Sequence, residues 1–77
     1  MKNLVSKFDY KYLRDNLIYK HVNFKSDCEF FPNFDLTGYV YDIVVKNNAY
    51  LFLVKHKNGK NYTIGSHMKN LSFEIIM

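Results

Sequence analysis

Tryptophan is absent from these 77 residues, and cysteine, proline and glycine are scarce. The single cysteine, Cys28, permits no intrachain disulfide and no zinc site built from cysteines. Small secreted domains are usually stapled by bridges, so their lack points to a reducing compartment, and a cytoplasmic location is the expectation. The opening stretch MKNLVSK has no apolar run of signal-peptide length. Among the longest apolar runs is Ala49 to Val54, far short of the roughly 20 residues a membrane helix needs. Three scattered glycines, Gly38, Gly59 and Gly65, leave no glycine-rich loop to cradle a phosphate. Acidic residues are the minority, seven against eleven Lys and Arg, for a net charge of +4 and a pI near 9.2. That balance admits nucleic acid or another acidic partner, and it also serves plain solubility.

What the chain does have is aromatic bulk. Seven Phe and seven Tyr make 18% of the residues, and apolar types reach 48%, well outside the disordered class. A chain this short buries only about 60% of its unfolded surface, so large side chains must carry the core. One domain over residues 1–77 is expected. Abundant Asn and Lys with little Ala or Gly suggest an AT-rich coding source, and hence a phage or mobile element of a low-GC bacterium.

Strand signals dominate from Leu36 onward. Leu36 to Lys46 (LTGYVYDIVVK) is rich in Val, Ile and Tyr. Asn47-Asn48 is a two-residue turn signal, because Asn tolerates the left-handed backbone region. Ala49 to His56 (AYLFLVKH) reads as the next strand, and Asn58-Gly59 as a second two-residue hairpin turn. Lys60 to Ile64 follows, with Tyr62 and Ile64 on one face. Gly65 to Asn70 breaks the pattern and predicts one helical turn. Leu71 to Ile76 alternates, placing Leu71, Phe73 and Ile75 inward. Leu17 to Phe24 supplies a fifth strand, and Lys25 to Asp35, with the only proline, reads as a long loop.

This order of elements resembles an SH3-like small barrel across residues 17–76. The resemblance rests on turn placement and on the stretch Gly38-Tyr39-Val40-Tyr41-Asp42-Ile43, which is similar to the Gly-x-Val-x-x-Ile opening of such barrels. It implies a mainly β, five-stranded closed barrel. Val40 and Ile43 both face its core only if a bulge falls near Tyr41-Asp42. A resemblance at this level implies no function.

Residues 1–16 differ. Leu4, Phe8 and Tyr12 recur at helical spacing, and Ser6 with Asp9 resembles a capping box, so a short helix packed on the barrel is expected. An extra strand is the alternative. Further on, Gly65-Ser66-His67-Met68 matches the tetrapeptide left by cleavage of an affinity tag. Strand pattern continues on both sides, so it reads as part of the fold.

Chemistry is thinly represented. His21, His56 and His67 fall on separate elements with no metal-ligand spacing, so neither a metal nor a cofactor is expected. Cys28 sits between Asp27 and Glu29, whose charges disfavour a thiolate. The acids are dispersed, and only Asp42 interrupts an apolar strand, where it marks a bulge, bonds to a turn or faces water. No catalytic pair is evident, and the chain is not expected to be an enzyme.

Lysine and tyrosine interleave instead. Lys46, Lys55, Lys57 and Lys60 surround the two tight turns, with Tyr39, Tyr41, Tyr50 and Tyr62 on the adjoining strands. These eight residues form the candidate binding surface. Exposed aromatics serve as protein anchors, and the same surface can stack bases while lysines attract phosphates. The leading expectation is a non-enzymatic module that binds and modulates a host protein, as an inhibitor of a nucleic-acid-handling or defence protein. Direct nucleic-acid binding is the alternative, and a small ribonuclease toxin the third reading.

Overall fold

Tight turns between β-branched and aromatic runs do produce consecutive antiparallel strands. The computed structural model describes residues 3–28 and 31–76. In chain order these form β1 (Asn3–Leu4), a 3-10 turn (Val5–Lys7), α1 (Tyr10–Leu17), β2 (Lys20–Cys28), β3 (Phe31–Lys46), β4 (Ala49–His56), β5 (Asn61–Gly65) and β6 (Ser72–Ile75). The fold is mainly β with one short helix.

The β3–β4 turn forms as the sequence predicts. Asn47 and Asn48 both take positive φ, 53° and 65°, and Lys46 pairs with Ala49. Beyond it, Asp42 pairs with Leu53 and Val40 with Val54, so Tyr41 is the extra residue of a bulge. The bulge lets Val40 and Ile43, three residues apart, both be fully buried.

The β4–β5 connection departs from the expected two-residue turn. Lys57, Asn58 and Gly59 form a three-residue loop, closed by His56 N–H to Lys60 O (2.9 Å) and Gly59 N–H to His56 O (2.9 Å). Of the three, Gly59 alone has positive φ, at 86°. Asn58 acts through its side chain, whose Oδ1 accepts from Lys60 N–H at 2.9 Å. The loop adopts the hairpin solution in which the left-handed residue comes last.

The N-terminal helix begins later than its apolar spacing suggests. Asp9 is the cap, accepting from Tyr12 N–H at 2.8 Å, and α1 runs on through Leu17. Leu4 lies in β1 instead, paired with Ser72, while Phe8 and Tyr12 stack across the cap at 4.6 Å. The strand expected from Leu17 therefore starts only at Lys20, after Tyr19 has turned the chain at φ 66°.

The long loop expected over Lys25 to Asp35 is largely strand. Lys25 pairs with Asp35 and Ser26 with Phe34, while Lys25 also pairs with Ser72 of β6. The β2–β3 ladder, joined at Lys25 by β6, outweighs the low strand propensity of this polar stretch. Glu29 and Phe30 of that loop lie outside the described residues. Gly65 to Asn70 holds no helical turn. Two successive turns are closed by Met68 N–H to Gly65 O (3.1 Å) and Leu71 N–H to Met68 O (3.2 Å). Ser66 exchanges bonds with Tyr50, and Met68 packs on the core, so the tag-like tetrapeptide is built into the fold.

The sheet order is β1-β6-β2-β3-β4-β5, and it does not close into the predicted five-stranded barrel. Closure would need β5 to meet β1, and a two-residue strand offers almost no ladder. The sheet rolls nevertheless. Six flat strands at about 4.8 Å spacing would give a wide slab about 10 Å thick, whereas the extents here are 28 × 28 × 27 Å. Rolling brings Phe24 of β2 and Phe52 of β4 to 5.1 Å between ring centroids. Val5, Leu13, Leu17 and Leu71 complete the core that the sheet leaves uncovered. Phe73 is buried as expected, but Ile75, which pairs with Val22, is 41% exposed at the rim.

Candidate functional site

A side chain's position on a strand fixes its face, and register fixes its neighbours. His21 of β2 pairs with Tyr39 of β3, Tyr39 with Lys55 of β4, and Lys55 with Asn61 of β5. One row therefore crosses four strands on the face away from the core. This row opens into a groove of about 600 Å³ lined by His21, Asp35, Thr37, Tyr39, Lys55, His56 and Lys57, with Gly38 and Gly59 as bare backbone.

Gly38 is required by the packing of β3 on β4. It pairs with His56, and a Cβ there would collide with Val54 Cγ1 and sit 2.9 Å from Lys55 O. Strands β3 and β4 approach too closely for any side chain.

Aromatic rings frame the groove. His21 and Tyr39 lie 5.3 Å apart, and Tyr19 lies 6.4 Å from Tyr39. Tyr19 is 70% exposed, and its N–H donates to Val40 O at 2.7 Å, which fixes the backbone of the ring-bearing residue. On the loop side, His56 meets Tyr62 edge-on at 5.8 Å. His56 Nδ1 also accepts from Asn58 N–H at 3.2 Å, so the imidazole braces the loop that carries Lys57 and Lys60.

The charges here are unspent. Among the described residues the ion pairs are Lys11 with Asp15 and Arg14 with Asp42, both on or beside α1. Among the described residues, Lys55, Lys57 and Lys60 have no carboxylate within ion-pair distance. The one groove acid, Asp35, is engaged by a neutral group: Asn23 Nδ2 donates to Asp35 Oδ1 at 2.6 Å and to Thr37 Oγ1 at 2.8 Å. Chemically the arrangement offers cations for an anion, ring faces for a planar group, and one carboxylate to accept hydrogen bonds.

The eight candidate residues do not all meet. Tyr39, Lys55 and Lys57 line the groove, and Lys60 and Tyr62 flank it on the loop and β5. Tyr41 sits on the bulge, 38% exposed. Tyr50 instead packs against Tyr10 of α1 at 5.5 Å, with its N–H donated to Ser66 Oγ. Lys46 lies at the opposite end of the hairpin, beside a smaller hollow with Ala49, Leu51 and His67. His21, His56, Asp35 and Tyr19 are not among the eight candidates. Leu17 to Phe24 reads as strand but its register against β3 is not legible, and Lys25 to Asp35 reads as loop, so only the tertiary pairing brings His21 and Asp35 to the face of Tyr39.

His21 and His56 share the groove while His67 lies elsewhere. Among the described residues no three His, Cys, Asp or Glu gather as a metal would require. Cys28 ends β2. No described helix is long and apolar enough to cross a membrane. Comparison with protein-family models, curated proteins and solved structures finds no match to this chain.

Proposed function

We propose that the chain is a non-enzymatic binding module that takes single-stranded nucleic acid in the groove beside Tyr39. The observation that carries this reading is the row His21–Tyr39–Lys55 with Lys57 beside it: rings and unpaired cations on one open surface. Phosphates need cations that are not already neutralised, and unstacked bases need exposed ring faces, each worth about 1–3 kcal/mol. The turn placement and the bulge at Tyr41 support an SH3-like lineage for the rolled sheet, and a cytoplasmic site of action accords with the single cysteine.

The test is fluorescence anisotropy with a labelled single-stranded oligothymidylate in rising salt. If Lys55, Lys57 and Lys60 each meet a phosphate, log K falls with log salt at a slope of about −2. No binding at low salt defeats the proposal.

A second reading keeps the protein partner, a host protein engaged by a phage or mobile-element product. It is favoured by the unpaired edge of β5 and by Val44, Leu51 and Leu53, half-exposed apolar residues on the outer face. Edges of this kind accept an added strand. A protein that co-purifies from the native cell, and is lost on Leu53→Lys but retained on Tyr39→Ala, selects this reading over the first.

A further inference from the structure

An anion-binding groove has no use for a carboxylate unless the carboxylate reads something. Asp35 lines the same groove as Tyr39, Lys55 and Lys57, two same-face positions from Tyr39 along β3 with Thr37 between, and it is exposed. It lies opposite Lys25 in the β2–β3 ladder yet forms no ion pair with it. Asn23 Nδ2 holds Oδ1 at 2.6 Å and spans to Thr37 Oγ1, so the carboxylate is oriented by a neutral amide and keeps its charge unshared. Among the described residues Oδ2 has no donor, and Oδ1 retains a second lone pair.

We propose that this carboxylate reads guanine in the bound strand, an inference that rests on the nucleic-acid reading above. The argument is one of donors and acceptors. An ionised carboxylate only accepts, and it accepts best from two adjacent, parallel donors. The Watson–Crick edge of guanine presents N1–H and N2–H side by side. Adenine presents the N6 amino group next to the N1 acceptor, and cytosine presents the N4 amino group next to the N3 acceptor. Thymine or uracil presents N3–H between two carbonyls. Each of those three edges turns at least one lone pair toward the carboxylate. Guanine alone meets it with donors only. Its plane can stack on one of the two rings, Tyr39 or His21, which are tilted 59° to each other, while Lys55 and Lys57 hold the flanking phosphates.

The experiment uses the full chain and labelled oligothymidylates of about eight nucleotides, within the span one small domain covers, each with one central guanine, adenine, cytosine or hypoxanthine. The guanine oligomer should bind about tenfold tighter than the adenine, cytosine and all-thymine oligomers, the discrimination of one good bidentate pair. Hypoxanthine lacks the N2 amino group and should lose most of that gain. Asp35→Asn should abolish the preference, so that the guanine oligomer binds no tighter than the all-thymine strand in that variant. Equal affinities for all five oligomers, or a guanine preference that survives Asp35→Asn, overturn the inference and leave the nucleic-acid reading standing. Failure of every oligomer to bind at low salt overturns that reading itself.

Discussion

Arg14 Nη1 on α1 lies 3.2 Å from Asp42 Oδ1, one residue past the bulge in β3. The same nitrogen donates to Ile43 O at 2.6 Å and to Tyr10 Oη at 2.9 Å, and Tyr10 Oη in turn donates to Ile43 O at 2.8 Å. Asp42 Oδ1 also accepts its neighbour's amide, Ile43 N–H, at 2.8 Å. The acid that interrupts an apolar strand is thus the fastening point between helix and bulge.

This latch gives a pH prediction. The Tyr10 hydroxyl first, and Asp42 after it, raise the Arg14 pKa above its ordinary value. A folded-state pKa raised above the unfolded one contributes stability that is complete below the unfolded value and is lost only above it. Arg14→Ala should therefore lower the urea midpoint by the same amount at pH 6 and pH 8. A deficit that shrinks between those two values would show that some other group governs the latch.

Two glycine substitutions separate backbone crowding from side-chain crowding. Gly38→Ala drives a methyl against Val54 Cγ1 and Lys55 O, and neither can leave. It should cost about 1–3 kcal/mol, as overpacking does. Gly65→Ala meets only the His67 ring, which is exposed and free to rotate away. Chemical denaturation should rank Gly38→Ala far below Gly65→Ala; the reverse order would place the close β3–β4 approach elsewhere.

The β4–β5 loop makes a third case. Nothing lies within 4 Å of a Cβ on Gly59, so any penalty there comes from its φ of 86° alone. Gly59→Val should destabilise by about 1–3 kcal/mol, Gly59→Asn by clearly less because Asn tolerates that region. Lys57→Ala should stay within about 0.5 kcal/mol. Thermal or urea midpoints that fail to separate Val from Asn at this position would refute the left-handed geometry.

Binding should be lost from one end of the molecule only. Tyr39→Ala is expected to weaken oligonucleotide affinity by about 1–3 kcal/mol at fixed salt. Lys55→Ala should reduce the salt slope by about one phosphate contact. Lys46→Ala, at the far end of the hairpin, should leave both unchanged. Anisotropy titrations of the three variants check this, and equal losses from Lys46→Ala and Lys55→Ala would mean diffuse attraction with no defined groove.

The sequence by itself determined the parts of this protein governed by neighbours in the chain. The paired positive φ of Asn47-Asn48, the bounds of β4, the inward burial of Phe73 and the bulge that reconciles Val40 with Ile43 are local consequences of turn chemistry and period-two alternation. Tertiary structure decided what depends on distant partners. Lys25 to Cys28 is strand because β3 supplies ladder partners along it, with β6 pairing Lys25 on the other side, which its polar side chains do not announce. Leu17 ends a helix instead of starting a strand because its side chain, with Leu13, fills the core that an open sheet leaves uncovered. The groove arises the same way. His21, Asp35, Tyr39 and Lys55 are spread over more than thirty residues, and only the antiparallel register of three strands sets them on one surface. Register is a long-range quantity, fixed by the burial of one face of the sheet, and a one-residue slip would send every one of these side chains to the other face.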